Sequence, residues 1–237
     1  EHTDIKMIYY GHDLHFMREF REYELTGDVK KRQESEYWKS IEFSLFHKVA
    51  VSYYPSYVEE EAIHAVDETI PVKAITAYVY EEFLQNLNKD FAKREGLLFV
   101  GGFAHPPNAD AVLWFAKEVF PKIREQIKVN FYIVGSKVTD EIKALEQPGN
   151  GIIVKGFVSE EELADLYRNC RIVVVPLRYG AGVKGKVVEA IYNGAPIVTT
   201  SVGSEGIPDV EKVLLVKDQP DEFAETVVEL YKDEKRL

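Results

Sequence analysis

The sequence predicts an α/β protein. Residues 97–237 form a doubly wound parallel sheet of Rossmann-like type, preceded by an α/β segment over 1–83 and a linker over 84–96. Three observations predict this. Six short apolar runs alternate with helical patterns between residues 97 and 232. The runs are apolar throughout, as in strands covered on both faces. Four of them end in glycine-bearing loops, and the carboxyl ends of parallel strands are where such sheets take ligands.

In chain order, residues 7–10 read as a strand and 11–15 as the loop at its end. Residues 28–46 read as a helix with Tyr37, Trp38, Ile41 and Leu45 on its apolar face. A second strand is expected at 48–52, then a helix over 56–66 capped by Ser56. A third strand is expected at 72–77, behind Pro71. Residues 81–96 are polar and charged, with Asn86 and Asn88, and suit a linker or a short crossing helix.

The regular part opens with a strand at 97–100, ended by Gly101 and Gly102. Pro106, Pro107 and Asn108 lead into a helix whose apolar stripe is Ala111, Val112, Phe115, Ala116, Val119, Phe120 and Ile123. Pro121 removes an amide donor and must kink or restart that helix. Strands at 131–134 and 152–154 flank a helix near 139–146 and the turn at 148–151. Ser159 and Glu162 have capping-box spacing for a helix carrying Leu163, Leu166 and Tyr167. Further strands are expected at 172–175, 197–199 and 213–216. A last helix follows Pro220, with Phe223, Val227, Val228, Leu230 and Tyr231 inward.

The stretch 176–207 carries the chemistry. After the strand at 172–175 comes a loop with Gly180, Gly182 and Gly185, punctuated by Lys184 and Lys186, and then a short helix. Such a helix points unpaired amides at the strand's carboxyl end. Glycines admit an anion close to the backbone. The lysines add full charge, and Glu189, one turn in, offers a carboxylate to sugar hydroxyls. Together these are the groups that grip a nucleotide sugar. The loop alone equally fits a glycine-rich turn with two solvated lysines.

Composition narrows the partners. The 237 residues are 46% hydrophobic with a net charge of −11 and no block of Lys and Arg, which argues against nucleic acid. Cys170, the only cysteine, reads as a buried hydrophobe, and its solitude fits a reducing compartment. No apolar run has the length of a membrane span, and no signal peptide is visible.

The chain resembles the retaining glycosyltransferases of the GT-B fold, in the group-1, family-four class. The resemblance rests on an ordered set: Phe99-Val-Gly-Gly-Phe-Ala-His-Pro-Pro-Asn-Ala-Asp-Ala-Val, Ile133-Val-Gly-Ser, Val154-Lys-Gly-Phe-Val, the unit 163–176 and the stretch 180–199. It implies that residues 97–237 are the C-terminal, donor-binding lobe. Residues 1–83 then resemble only the tail of the N-terminal acceptor lobe, with considerably more chain expected upstream. Glu189 matches the second glutamate of the family's Glu-x7-Glu motif, which binds ribose hydroxyls. The first glutamate falls at Ala181, a departure that touches recognition of the donor sugar. Lys184 or Lys186 takes the diphosphate, with Lys186 favoured as nearer the helix start. Phe157 and Val158 match the loop around the base, and Gly135 matches another turn lining the nucleotide. Gly101, Gly102, Gly180 and Gly182 belong to the same rim. Arg178 and Tyr179 either line the pocket or pack at the surface. His12, in the strand-end loop, matches the histidine that faces the donor. His105 reads as structural.

The resemblance further implies glycosyl transfer from a nucleoside-diphosphate sugar to an acceptor hydroxyl with anomeric retention, in glycan or polysaccharide biosynthesis. His12 and Lys186 are the expected catalytic groups. The lysine and the helix end stabilise charge on the departing diphosphate. No metal or cofactor is expected, because the sequence has no Asp-x-Asp pair and these groups can do that job. The expected partners are a nucleotide sugar and a glycan, lipid-linked or other hydroxyl acceptor. The expected location is cytoplasmic, with room for peripheral association at the inner membrane face in the full-length protein. Two alternatives stand at this point: a nucleotide-sugar epimerase of the same fold, and a non-catalytic nucleotide-sugar-binding module.

Overall fold

The computed structural model describes residues 5–76, 78–82, 84 and 90–233. Contacts group the chain into two units. One holds Glu1–Val79 with Tyr179–Val183 and Glu205–Pro208; the other holds Tyr80–Arg178, Lys184–Ser204 and Asp209–Leu237. The expected strand end at Ala77, the boundary at Phe83 and the linker residues Asn86 and Asn88 lie outside the described residues.

In the first unit, β1 (Ile8–Tyr10), β2 (Val51–Tyr54) and β3 (Val72–Ala74) form a parallel sheet in chain order, with Ile8 opposite Val51 and Ser52 opposite Val72. The expected second strand starts too early: residues 48–50 turn, and the strand alternates so that Ser52 and Tyr54 point inward. Helices α1 (His15–Thr26) and α2 (Val29–Phe46) follow β1, and α3 (Tyr57–His64) follows β2. Leu14, Phe46, Tyr54, Ile63, Ile70 and Val72 make the core, with Tyr9, Phe16 and Phe43 against it. Ser56 and Glu59 form a full capping box on α3.

Helix α1 is not predicted from the sequence, and its physical signal is remote. Leu14 cannot cap it; instead the Glu42 carboxylate of α2 accepts from the amides of His15 (2.9 Å) and Phe16 (3.1 Å). The expected apolar face of α2 is also corrected. Tyr37 and Ile41 are exposed, and the buried positions are Ser35, Glu42 and Phe46. The helix turns two polar residues inward because both have work there: Ser35 Oγ donates to the Phe16 carbonyl, and Glu42 caps α1. Gly11 lies against the Tyr54 ring, where a Cβ would come within 2.4 Å.

The second unit is the parallel α/β body that the sequence predicts. A 3-10 turn at Phe91–Lys93 leads to β4 (Leu97–Val100). Then come α4 (Pro106–Trp114), a π-helical stretch at Phe115–Val119 and α5 (Phe120–Gln126). The irregularity falls where Pro121 predicts it: the chain widens into a π turn and restarts with the proline in the first turn of α5. Next are β5 (Phe131–Val134), α6 (Asp140–Lys143), β6 (Ile152–Gly156), α7 (Glu160–Asn169) and β7 (Ile172–Val175). The chain ends with α8 (Gly185–Tyr192), β8 (Ile197–Thr199), α9 (Ser201–Ser204), α10 (Val210–Val213), β9 (Leu215–Val216) and α11 (Pro220–Lys232). The last strand is shorter than expected because residues 210–213 are helical. The Ser159–Glu162 capping box is half formed: Ser159 Oγ accepts from the Glu162 amide, but the Glu162 carboxylate pairs with Lys155 at 2.6 Å.

All six strands are parallel, in the order β6-β5-β4-β7-β8-β9. Numbered from β4, this is the doubly wound order 3-2-1-4-5-6, and its reversal falls between β4 and β7. The whole predicted stripe from Ala111 to Ile123 is buried. Phe115 anchors it, with ring centroids 4.7 Å from Phe131 and 5.8 Å from Phe223. Cys170 is buried as expected, and burial pushes its thiol up to about 12.

The rim at the carboxyl ends is built backbone against backbone. Gly135 has φ 152°, and a Cβ there would stand 1.7 Å from the Gly101 carbonyl oxygen. Gly135→Ala should therefore cost about 2 kcal/mol or more, since neither partner is a side chain that can move away. Urea unfolding should show a lower midpoint with an unchanged slope; an unchanged midpoint would mean that the loop relaxes freely.

Candidate functional site

Within the second unit the site assembles at the switch point. Gly101 N–H donates to the Val134 carbonyl (3.0 Å), Phe103 N–H to Ser136 O (2.9 Å) and Gly135 N–H to Gly156 O (2.8 Å). The loops after β4, β5 and β6 are thus tied edge to edge, which brings Gly101, Gly102 and Gly135 together. Phe157, just past β6, is 80% exposed, an unusual position for a phenylalanine that packing does not require. Val158 beside it is partly buried.

Asn108 joins this rim to α8. It sits in the first turn of α4 and is buried. Its Nδ2 donates to the Gly102 carbonyl (2.8 Å), while its Oδ1 accepts from Lys186 Nζ. Lys186 is the second residue of α8, and its Nζ lies 5.1 Å from the centre of the Phe99 ring. Burial, and then the like charge of Lys184, pull its ammonium down to about 7. Among the described residues no carboxylate lies within ion-pair reach of Lys186. Lys184 is the N-cap residue of the same helix, and its side chain makes no capping bond. The first amides of α8 have no intrahelical partners. Two lysines therefore converge on a helix N-terminus at the sheet's carboxyl edge.

Glu189 follows one turn later. Tyr167 OH, from α7, donates to its Oε2 at 3.1 Å. Burial and the neighbouring carboxylate both raise the Tyr167 phenol, so it remains a donor. Arg178 is differently engaged: its guanidinium forks onto both carboxylate oxygens of Asp110 and lies 5.9 Å from the Trp114 ring centre. Its charge is already met within the fold.

The remaining predicted residues belong to the first unit. His12 is exposed and edge-on to Tyr10, with centroids 5.4 Å apart. Gly182 has φ 77° and packs so close to the His12 carbonyl that a Cβ would be 2.7 Å from it. Arg21 of α1 donates to the Gly180 carbonyl (2.6 Å) and pairs with Glu205 (2.7 Å). Tyr179 is buried. His105, in the second unit, occupies the N-cap position of α4.

Sequence reasoning missed the supporting residues Asn108, Asp110 and Tyr167. Asn108 reads in the sequence as part of a helix start, and Tyr167 as one of an apolar stripe. A signal existed for the tyrosine, because a buried phenol needs a hydrogen-bond partner. No sequence signal pairs Asn108 with a lysine 78 residues away. Among the described residues no group of three or more His, Cys, Asp or Glu could hold a metal ion, and no helix is long and apolar enough to cross a membrane.

Comparison with known proteins places this arrangement. An uncharacterized 44.6 kDa protein in the cps region of Klebsiella pneumoniae is 33% identical over 136 residues, covering 54% of this chain and 33% of its own. The chain thus spans about a third of that relative. Among solved structures, a point mutant of S. aureus TarM, in complex with fondaparinux, α-GlcNAc-glycerol and UDP, superposes with a TM-score of 0.74 at 14% identity. That match covers 99% of this chain and 45% of TarM. Sucrose-phosphate synthase from Thermosynechococcus elongatus gives 0.75 at 16%, covering 99% and 60%. HepE of Anabaena, in complex with UDP and glucose, gives 0.68 at 17%, covering 98% and 63%. At such identities these likenesses establish the GT-B glycosyltransferase type of fold. The model of the family glycosyl transferases group 1 matches residues 94–233, most of the chain and nearly all of its second unit, and the chain belongs to that family.

Proposed function

We propose that this chain carries the nucleotide-sugar-binding part of a retaining glycosyltransferase that moves a sugar from a nucleoside diphosphate to an acceptor hydroxyl, in polysaccharide biosynthesis. The observation that carries this reading is the convergence of Lys186, Lys184 and the α8 N-terminus at the switch point, with the Glu189 carboxylate one turn further on. UDP in the TarM and HepE structures supports a nucleoside-diphosphate donor. The cps-region relative supports the biosynthetic setting.

In this reading the diphosphate meets Lys186, whose partner in the free protein is a neutral amide and not a carboxylate. Charge on the leaving diphosphate grows toward the transition state, so a fixed cation and oriented amides lower the barrier. Glu189 accepts from ribose hydroxyls, and exposed Phe157 lies against the base. A second reading, a nucleotide-sugar epimerase of the same fold, draws on Ala181, a small apolar residue where the resemblance implies a glutamate for the donor sugar. Product analysis with a labelled donor, with and without acceptor, separates the two.

Calorimetric titration of the 237-residue chain with UDP, GDP and ADP should find a nucleoside diphosphate that binds. Lys186→Ala should weaken that binding by about 1.5–3 kcal/mol, as for a hydrogen bond to a charged group. In a turnover assay it should lower kcat by about 10²–10³, the scale of one preorganised donor at a developing anion. A Lys186→Ala protein that binds and turns over normally removes the assignment.

The same lysine gives the affinity a pH dependence. The bound diphosphate favours protonated Lys186, whereas in the free chain burial and Lys184 hold its pKa at about 7. Binding should therefore take up a proton above pH 7, and affinity should fall from pH 7 to pH 9 by up to roughly tenfold per unit. Lys186→Met should flatten that slope. Calorimetry in buffers of different ionisation enthalpy reads the proton directly.

A further inference from the structure

We infer that Tyr167 is a positioning residue for nucleoside recognition: its hydroxyl fixes one oxygen of Glu189 so that the other is presented to a vicinal diol. This rests on the proposed binding of a nucleoside diphosphate at the carboxyl edge of the second sheet.

Helix α7 carries one residue that packing alone does not explain. Tyr167 is 1% exposed, on a face where phenylalanine would fill the same volume without a polar atom to satisfy. Its hydroxyl finds a partner in another helix, 22 residues on, at Glu189 Oε2 (3.1 Å). That bond takes up only one of the two carboxylate oxygens. Among the described residues, Oε1 accepts no hydrogen bond. Glu189 is also only partly buried, so its free oxygen remains reachable. A carboxylate at the end of three rotatable bonds, otherwise free to swing, is thereby held by one edge and offers the other.

The hydroxyl is suited to the task because it can only donate toward a carboxylate and brings no charge. A lysine or arginine in its place would neutralise Glu189 and compete with any ligand hydroxyl. The helix carrying Glu189 is itself anchored. Tyr192, one turn beyond it, stacks face to face on Tyr80 with centroids 3.9 Å apart. Asn193 Nδ2 returns to the Glu189 carbonyl at 2.8 Å. With the backbone fixed and one oxygen tethered, little freedom is left for a diol to remove on binding.

The test compares UDP with 2′,3′-dideoxy-UDP by calorimetry on the 237-residue chain and its Tyr167→Phe variant, after equal thermal melts confirm folding. If UDP does not bind, the nucleoside diphosphate that does is used with its own dideoxy analogue. The wild-type chain should prefer the diol ligand. Tyr167→Phe should lose about tenfold for the diol ligand, the scale of one charge-assisted hydrogen bond, and nothing for the dideoxy one. A merely structural tyrosine would weaken both ligands alike or neither, and either result overturns the inference. So does a wild-type chain that binds both ligands equally, although the proposed function then survives. If no nucleoside diphosphate binds the wild-type chain, both readings fall together. Should Tyr167→Phe not fold, 3-fluorotyrosine at 167, nearly isosteric and a stronger donor, must shift affinity for the diol ligand alone; no shift counts against the inference.

Discussion

The bond on which the rest of the candidate site depends is the one between Asn108 and Lys186. A lysine ammonium beside a buried aromatic ring and a second lysine is unfavourable unless something accepts its protons. Asn108 does so with a neutral oxygen while its amide nitrogen is anchored to the Gly102 carbonyl. Had the partner been a carboxylate, the charge would be cancelled and the lysine committed. A neutral partner holds the position and leaves the electrostatic demand unmet. Arg178 shows the contrast, since its fork is closed on Asp110. Two cations of similar sequence position thus have opposite prospects, and only their partners distinguish them.

That bond in turn needs the topology. Asn108 belongs to the helix after β4 and Lys186 to the helix after β7, and these two strands are neighbours in the sheet. In the doubly wound order the crossovers leaving such strands run to opposite faces, and sheets of this kind take ligands at that point. The glycines at 101 and 135 let the adjacent loops close on each other there, with a backbone carbonyl occupying the space a Cβ would fill. Fold order, glycine placement and the lysine's support are one construction seen at three scales.

The sequence made the second unit legible because its signals are local. Apolar runs, prolines and glycines mark every strand of the sheet to within a few residues, and Pro121 marks the irregular helix. The first unit was harder because its signals are remote. Helix α1 is capped from α2, and α2 turns Ser35 and Glu42 inward, against its hydrophobic pattern. Periodicity assumes that polar residues face water, and it fails where a polar residue is buried to satisfy a distant backbone. The site divides in the same way. Residues carried by the glycine and lysine loop could be named from the sequence, whereas Asn108, Asp110 and Tyr167 could not, because each acts through a partner more than 20 residues away.

Lys186 and Glu189 are prepared for different halves of the proposed ligand. Toward the proposed diphosphate the lysine is placed but under-charged, with its proton affinity lowered by its surroundings. Toward the proposed nucleoside the carboxylate is placed and half-satisfied. A ligand with an anion at one end and a diol at the other completes both at once, supplying the negative charge that restores the lysine's proton and the donors that the free oxygen lacks. A simple phosphate would complete only the first, and an uncharged sugar only the second. The two incompletions lie on one short helix, three residues apart, and this spacing is what the proposed nucleoside diphosphate exploits by joining both chemistries in one molecule.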